Sequence, residues 1–153
     1  MRAWPGVDLP ELGVTAQLSL RSDPSEFRRL VNFAEGFGCS RSLPSGERTR
    51  LLIILEELFT NVVKHGYDNV TRSGRIEVAL AFDGERIEIE FSDDGRPFDP
   101  LSVSLSNLDL PAAQREIGGL GLQILRFLTD DAKYFRRGDR NHLTLIRNIT
   151  RPE

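Results

Sequence analysis

LLIILEELFTNVVKHG, residues Leu51–Gly66, is the stretch whose reading decides what kind of chain this is. Its apolar positions (Leu51, Leu52, Ile54, Leu55, Leu58, Phe59, Val62 and Val63) recur every three or four residues and predict an amphipathic helix with a broad buried stripe. Glu57, Asn61 and Lys64 stand at i, i+4 and i+7, so they project from one face, turn above turn. A carboxylate, a carboxamide and an ammonium in a row suit a magnesium ion and a chain of phosphates. A solvated helix face is the plainer reading of the same residues, and the elements on either side decide between the two.

Upstream, Val14, Ala16, Leu18 and Leu20 alternate with polar residues, the period-two pattern of a half-buried strand. Asp23, Pro24 and Glu26 start a helix; Phe27, Leu30, Val31, Ala34 and Phe37 form its core face, Gly38 closes it, and Cys39–Gly46 is a loop. Downstream, Tyr67–Gly74 is a polar connection, and Ile76, Val78, Leu80 and Phe82 make a strand. Asp83-Gly84 predicts a two-residue hairpin turn; the return strand carries Ile87, Ile89 and Phe91, with Glu88 and Glu90 on the opposite face. Leu101–Ile117 is polar and irregular, of the length usual for functional lids. Gly118-Gly119-Leu120-Gly121 opens a third helix, with Leu122, Ile124, Leu125 and Leu128 apolar. A last hairpin pairs Ala132–Arg136 with His142–Ile149. The order β, α, α, β, β, lid, α, β, β predicts an α+β fold, a two-layer sandwich with a mixed, mostly antiparallel sheet and helices on one face.

At 153 residues the chain reads as one domain, residues 13–150, behind an irregular arm over residues 1–12. Lys+Arg 20 against Asp+Glu 23 leaves a net charge of -3, which argues against a nucleic-acid footprint. No apolar run approaches the roughly 20 residues that span a bilayer, and MRAWPGVDLPELG lacks the core of a signal peptide. No membrane association and a cytoplasmic location are therefore expected. Cys39, the single cysteine, allows no internal disulfide and reads as a quiet, partly buried thiol.

Three stretches carry chemistry. The first is Glu57-x-x-x-Asn61-x-x-Lys64-His65 on the helix, where Asn61 can offer its oxygen to Mg²⁺ and Glu57 can take a proton from an attacking hydroxyl. The second is Asp93-x-Gly95-x-Pro97-Phe98-Asp99-Pro100 at a strand end. Its Asp can accept a hydrogen bond from an exocyclic amine such as adenine's, and Gly95 permits a positive-φ turn and close approach by a flat ring. The third is Gly119-x-Gly121 at a helix start, where free backbone N–H groups meet phosphate oxygens. Singly, Asp93 could be a turn residue and the glycines could serve tight packing; together, in this order and on these elements, they point to a nucleotide.

With its N-box EELFTNVVKHG, its G1 box DDGRPFDP and its G2 box GGLGL, the chain resembles the GHKL ATP-binding fold of histidine-kinase catalytic domains, type II topoisomerases, mismatch-repair ATPases and heat-shock chaperones. Within that superfamily, the Glu57–Tyr67 pattern E-x-x-T-N-x-x-x-H-x-Y and the ending LTDDAKYFRRGDRNHLTLIR resemble the small anti-sigma-factor serine/threonine kinases of the RsbW/SpoIIAB type. The resemblance spans Val14–Arg147. It implies Glu57 as general base, Asn61 as magnesium ligand, Asp93 and Gly95 at adenine, and Gly119 and Gly121 at the phosphates of ATP or ADP. Lys64, His65, Phe98, Gly118, Leu120 and Leu122 complete the candidate set. Two departures stand out: Pro97 replaces the second glycine of D-x-G-x-G, and Arg115 is the lid's only cation, so charge neutralisation at the γ-phosphate rests on Arg115 or Lys64.

The resemblance further implies a STAS-domain anti-anti-sigma protein as phosphoryl acceptor, a sigma factor as second partner, and homodimerisation through the first strand, near Val14–Leu20. A nucleotide-sensing module without phosphoryl transfer is the alternative. A slow ATPase like the repair and chaperone members fits less well, because no transducer domain follows Arg147. His65 reads first as a cap on helix-end carbonyls and second as a phosphate contact. His142, Phe98, Phe127 and Phe135 read as structural side chains, and Arg136, Arg137 and Arg140 as solvated residues flanking a turn.

Overall fold

A computed structural model describes residues 14–67, 74–102 and 119–149. The elements are β1 (Val14–Arg21), α1 (Phe27–Ser40), α2 (Ser45–His65), β2 (Arg75–Phe82), β3 (Arg86–Asp93), α3 (Gly119–Leu128), β4 (Asp131–Arg137) and β5 (Arg140–Asn148), with short 3₁₀ turns at Pro24–Glu26 and Pro100–Ser102. Among the described residues, five strands form one sheet in the order β1-β2-β3-β5-β4, and all four neighbouring pairs are antiparallel. This is the expected α+β sandwich, with a sheet that is antiparallel throughout the described residues rather than mixed. The N-terminal arm and most of the predicted lid lie outside the described residues.

One face of β1, β2, β3 and β5 supplies the sheet's share of the buried core. Leu20, Ile76, Val78, Leu80, Ile87, Ile89, Phe91, Leu143 and Leu145 are buried against Leu30, Ala34 and Phe37 of α1, the apolar stripe of α2, and Leu122 and Leu125 of α3. Each such side chain contributes about 2 kcal/mol by leaving water. At the far end, Glu47 on α2 is buried and receives Arg147 of β5 at 2.6 Å, which clamps the helix layer to the sheet.

Several boundaries differ from the sequence expectation, each for a local reason. Helix α1 runs through Gly38 to Ser40. Gly38 sits inside it because the side chain of Arg48 packs where a β-carbon would be. The helix ends in a Schellman motif, with Leu43 N–H donating to Gly38 O at 2.9 Å and Ser42 N–H to Cys39 O at 3.2 Å. Ser42 takes the left-handed position at φ 54°. Helix α2 then begins at Ser45, straight after Pro44, so the predicted Cys39–Gly46 loop shrinks to a few residues. In the β2–β3 hairpin, Asp83 still pairs with Arg86 (N–H to O, 3.3 Å), so the two-residue loop is Gly84-Glu85 with Gly84 at φ 98°. The Asp83 carboxylate caps that loop by accepting from the amides of Glu85 and Arg86, each at 2.8 Å.

Four side chains lie in unexpected surroundings. Cys39 is exposed, with Arg48 Nη1 3.1 Å from its sulfur. Phe127 is not core but 77% exposed. Glu88 and Glu90 do project from the face opposite the core, yet both are buried, and Glu88 Oε2 and Glu90 Oε1 have no hydrogen-bond partner among the described residues. Burial, and then the neighbouring Glu88, push the Glu90 carboxyl up to about 7.

Candidate nucleotide site

Two cavities meet along the C-terminal half of α2. The first is walled by Leu58, Asn61, Val62, His65 and Gly66 of that helix, by Phe91 and Asp93 of β3, and by Arg96, Phe98 and Pro100 of the following loop. Tyr134 of β4 and Asn141 and Leu143 of β5 close it. The second is walled by Glu57, Thr60, Asn61, Lys64 and His65 of α2 with Gly121 and Leu122 of α3. Asn61 and His65 border both cavities, so a ligand with a flat apolar end and an anionic end could extend past them from one to the other.

The first cavity is apolar apart from a few directed groups, the pattern of a site for a flat heterocycle. Asp93, the last residue of β3, is buried at its floor. Its Oδ1 accepts from Gly95 N–H at 2.9 Å and from Asn141 Nδ2 at 3.0 Å. Burial pushes the carboxyl up from its ordinary range, against the pull of those two donors and of Arg140. Gly95 does not take the expected positive φ, which the described glycines reserve for Gly84 and Gly138. What demands glycine there is space: a β-carbon would lie 2.8 Å from Gly66 O and 2.9 Å from Asp93 Oδ1. Arg96 N–H donates to that same Gly66 carbonyl at 2.8 Å, tying the loop to the end of α2. Phe98 is half-buried; it packs against the core and also lines the cavity.

In the second cavity, Glu57 lies against the backbone of Gly121, where a β-carbon would collide with Oε2. Burial and then the charge of Glu56 raise its carboxyl, while Lys64 lowers it. A carboxyl so raised takes up a proton more readily than an ordinary glutamate does. Asn61 Oδ1 is buried and has no hydrogen-bond partner among the described residues, an amide oxygen whose lone pairs they leave unused at the junction of the two cavities. That orphaned oxygen fits a hard cation such as Mg²⁺, which takes oxygen ligands and needs few from protein when phosphates supply others. His65 does not cap a helix carbonyl among the described residues; Gly66 N–H closes the helix onto Val62 O, and the imidazole lines the cavities. Lys64 is an exposed rim residue.

Gly119 and Leu120 open α3 as expected, and Leu122 is buried beneath the cavity. Gly118 and Arg115 lie outside the described residues. The pocket's far wall escaped sequence reading. Asn141 binds Asp93, Tyr134 binds Asn141 at 2.6 Å, and Arg136 Nη1 donates to Gly95 O at 2.7 Å. Arg140 Nε reaches Ser92 Oγ at 2.9 Å, so neither Arg136 nor Arg140 is the solvated turn residue expected. The one signal in the sequence is that Asn141 shares its strand face with Leu143 and Leu145, a polar residue on an apolar face. His142 is structural, stacked on Phe135 with ring centroids 4.7 Å apart.

The arrangement can hold a heterocycle over Asp93 and anionic groups beside α3, with a carboxylate at hand for proton transfer. Among known proteins, residues 20–147 match the family model described as "Histidine kinase-like ATPase domain". The chain is 32% identical over 89 residues to a serine-protein kinase RsbW of Listeria monocytogenes serovar 1/2a, covering 56% of each chain. It is 23% identical over 106 residues to an anti-sigma F factor of Anoxybacillus flavithermus (69% of this chain, 72% of the relative). It is also 26% identical over 98 residues to a serine/threonine-protein kinase BtrW of Bordetella bronchiseptica (64% and 68%). The matched stretch thus spans little more than half of the Listeria relative. With the family model matched over residues 20–147, well over half of its length, the chain belongs to the histidine kinase-like ATPase domain family.

Proposed function

We propose that this chain is an ATP-dependent protein serine/threonine kinase that also serves as an anti-sigma factor, and that its phosphoryl acceptor is a Ser or Thr of a STAS-domain anti-anti-sigma protein. The observation that carries the reading is Asn61 at the junction of the two cavities, its buried oxygen unused, between Asp93 on one side and Glu57 beside Gly121 on the other. Relatives bearing the names serine-protein kinase and anti-sigma F factor support it.

On this reading Asp93 accepts from the exocyclic amine of adenine, and the amides at the start of α3 face the phosphates. Glu57 accepts the proton of the incoming hydroxyl as its oxygen bonds to the γ-phosphorus and the bond to the ADP oxygen breaks. Catalysis then rests mostly on positioning and charge neutralisation, as in other phosphoryl transfers. Lys64, and Arg115 in the lid segment, are the cations for that task. Mg²⁺ held at Asn61 would supply neutralisation of phosphate charge. Pairing of two copies through the edge strand β1 belongs to the same proposal.

The test mixes purified protein, labelled Mg·ATP and the STAS-domain protein encoded nearest to it. Label on Ser or Thr that disappears in Glu57→Ala, with ATP affinity retained, is the expected result. Nucleotide uptake without transfer to any acceptor would leave a nucleotide sensor and remove the kinase.

A further inference from the structure

We propose that Asn141 is a positioning residue that orients Asp93 and thereby sets a preference for a purine bearing an amino group over one bearing an oxo group. The proposal rests on the adenine-nucleotide reading above and adds what enforces the choice of base.

Every polar valence of the Asn141 side chain is committed inside the protein. Nδ2 donates to Asp93 Oδ1 at 3.0 Å and to Arg96 O at 2.8 Å. Oδ1 accepts from Tyr134 Oη at 2.6 Å and from Phe98 N–H at 3.3 Å. The amide has only one possible orientation. A backbone N–H can meet only the oxygen and a backbone carbonyl only the nitrogen, so Phe98 and Arg96 between them fix which end faces Asp93. Nothing on Asn141 is left for a ligand. It acts through Asp93.

With Gly95 N–H at 2.9 Å as second donor, Asp93 Oδ1 is occupied, and neither of these bonds falls on Oδ2. An ionised carboxylate so held is purely an acceptor. It pairs with an exocyclic N–H₂ and leaves an exocyclic C=O unpaired against it, and a buried polar site rejects a ligand that cannot match it. Four further groups bear on Asp93: Arg140 from β5, Asp94 beside it, Tyr67 after α2, and Tyr134 from β4. Arg96 and His65 line the same cavity. Loss of the Asn141 donor leaves burial less opposed, so Asp93 takes up a proton at higher pH. Protonated, it can donate to an oxo group, and the discrimination falls.

The experiment measures calorimetric affinities for Mg·ADP and Mg·IDP from pH 5.5 to 8 with wild type, Asn141→Leu and Tyr134→Phe. Wild type should prefer ADP, at a ratio less sensitive to acid pH than that of Asn141→Leu. In Asn141→Leu the ratio should fall by about tenfold or more and fall further toward acid pH, with Tyr134→Phe between the two. Equal weakening of both nucleotides, or an unchanged ratio, overturns the proposal and leaves the adenine-nucleotide reading standing. Uptake of neither nucleotide by wild type would remove both. Should Asn141→Leu fail to fold, the ratio in Tyr134→Phe decides alone, and an unchanged one there counts against the proposal.

Discussion

Glu57 and Gly121 occupy each other's space: the carboxylate on α2 rests where a side chain on the first turn of α3 would begin. Glycine at 121 thus lets Glu57 reach the cavity it shares with Asn61, Lys64 and His65. Gly121→Ala should push the carboxylate aside. Displacement of a catalytic group by about 1 Å costs on the order of a hundredfold in rate, so we expect kcat to drop by about that factor. Circular dichroism should show an intact fold; an unchanged kcat would mean that Glu57 does not act from this position.

The pH profile of transfer should report the same group. Burial and Glu56 raise the Glu57 carboxyl, so activity should fall on the acid side at a pH above that of an ordinary glutamate. Glu56→Gln removes the like charge and should move this limb to lower pH. Lys64→Gln removes the opposing cation and should move it higher. Profiles of kcat for the three proteins check both directions, and a limb that ignores both substitutions belongs to another group.

Glu90 makes the fold itself sensitive to pH. Its carboxyl, held up to about 7 in the folded chain against 4.5 as its ordinary value, keeps its proton more tightly folded than unfolded. The unfolded chain therefore ionises first, and stability falls as pH rises from about 4.5 through 7. The loss is on the order of 3 kcal/mol. Glu90→Gln should raise the urea midpoint at pH 8 and leave it nearly unchanged at pH 4.5. Equal effects at both pH values would contradict this linkage.

Ser42 holds a left-handed conformation, φ 54°, at the position of the α1 Schellman motif that glycine fills best. Ser42→Gly should stabilise by about 0.5–1 kcal/mol, and a β-branched Ser42→Val should destabilise by at least about 1 kcal/mol. Thermal melts of both variants test the pair, and a Val variant as stable as wild type would argue against the motif.

The order of elements was open to reading from the chain alone, as were the inward faces of the strands and the three stretches around Asn61, Asp93 and Gly119. Each depends on neighbours a few residues away: 3.6-residue or two-residue periodicity, a glycine, a proline, an acidic cap. Only tertiary structure decided that β5 rather than β4 lies beside β3, in the register that sets Asn141 opposite Asp93. It also decided that Glu88 and Glu90 are buried while Cys39 and Phe127 are exposed. Alternation tells which way a side chain points from its own strand. What it meets there depends on segments distant in sequence that pair and pack over the same ground, and no local pattern encodes that.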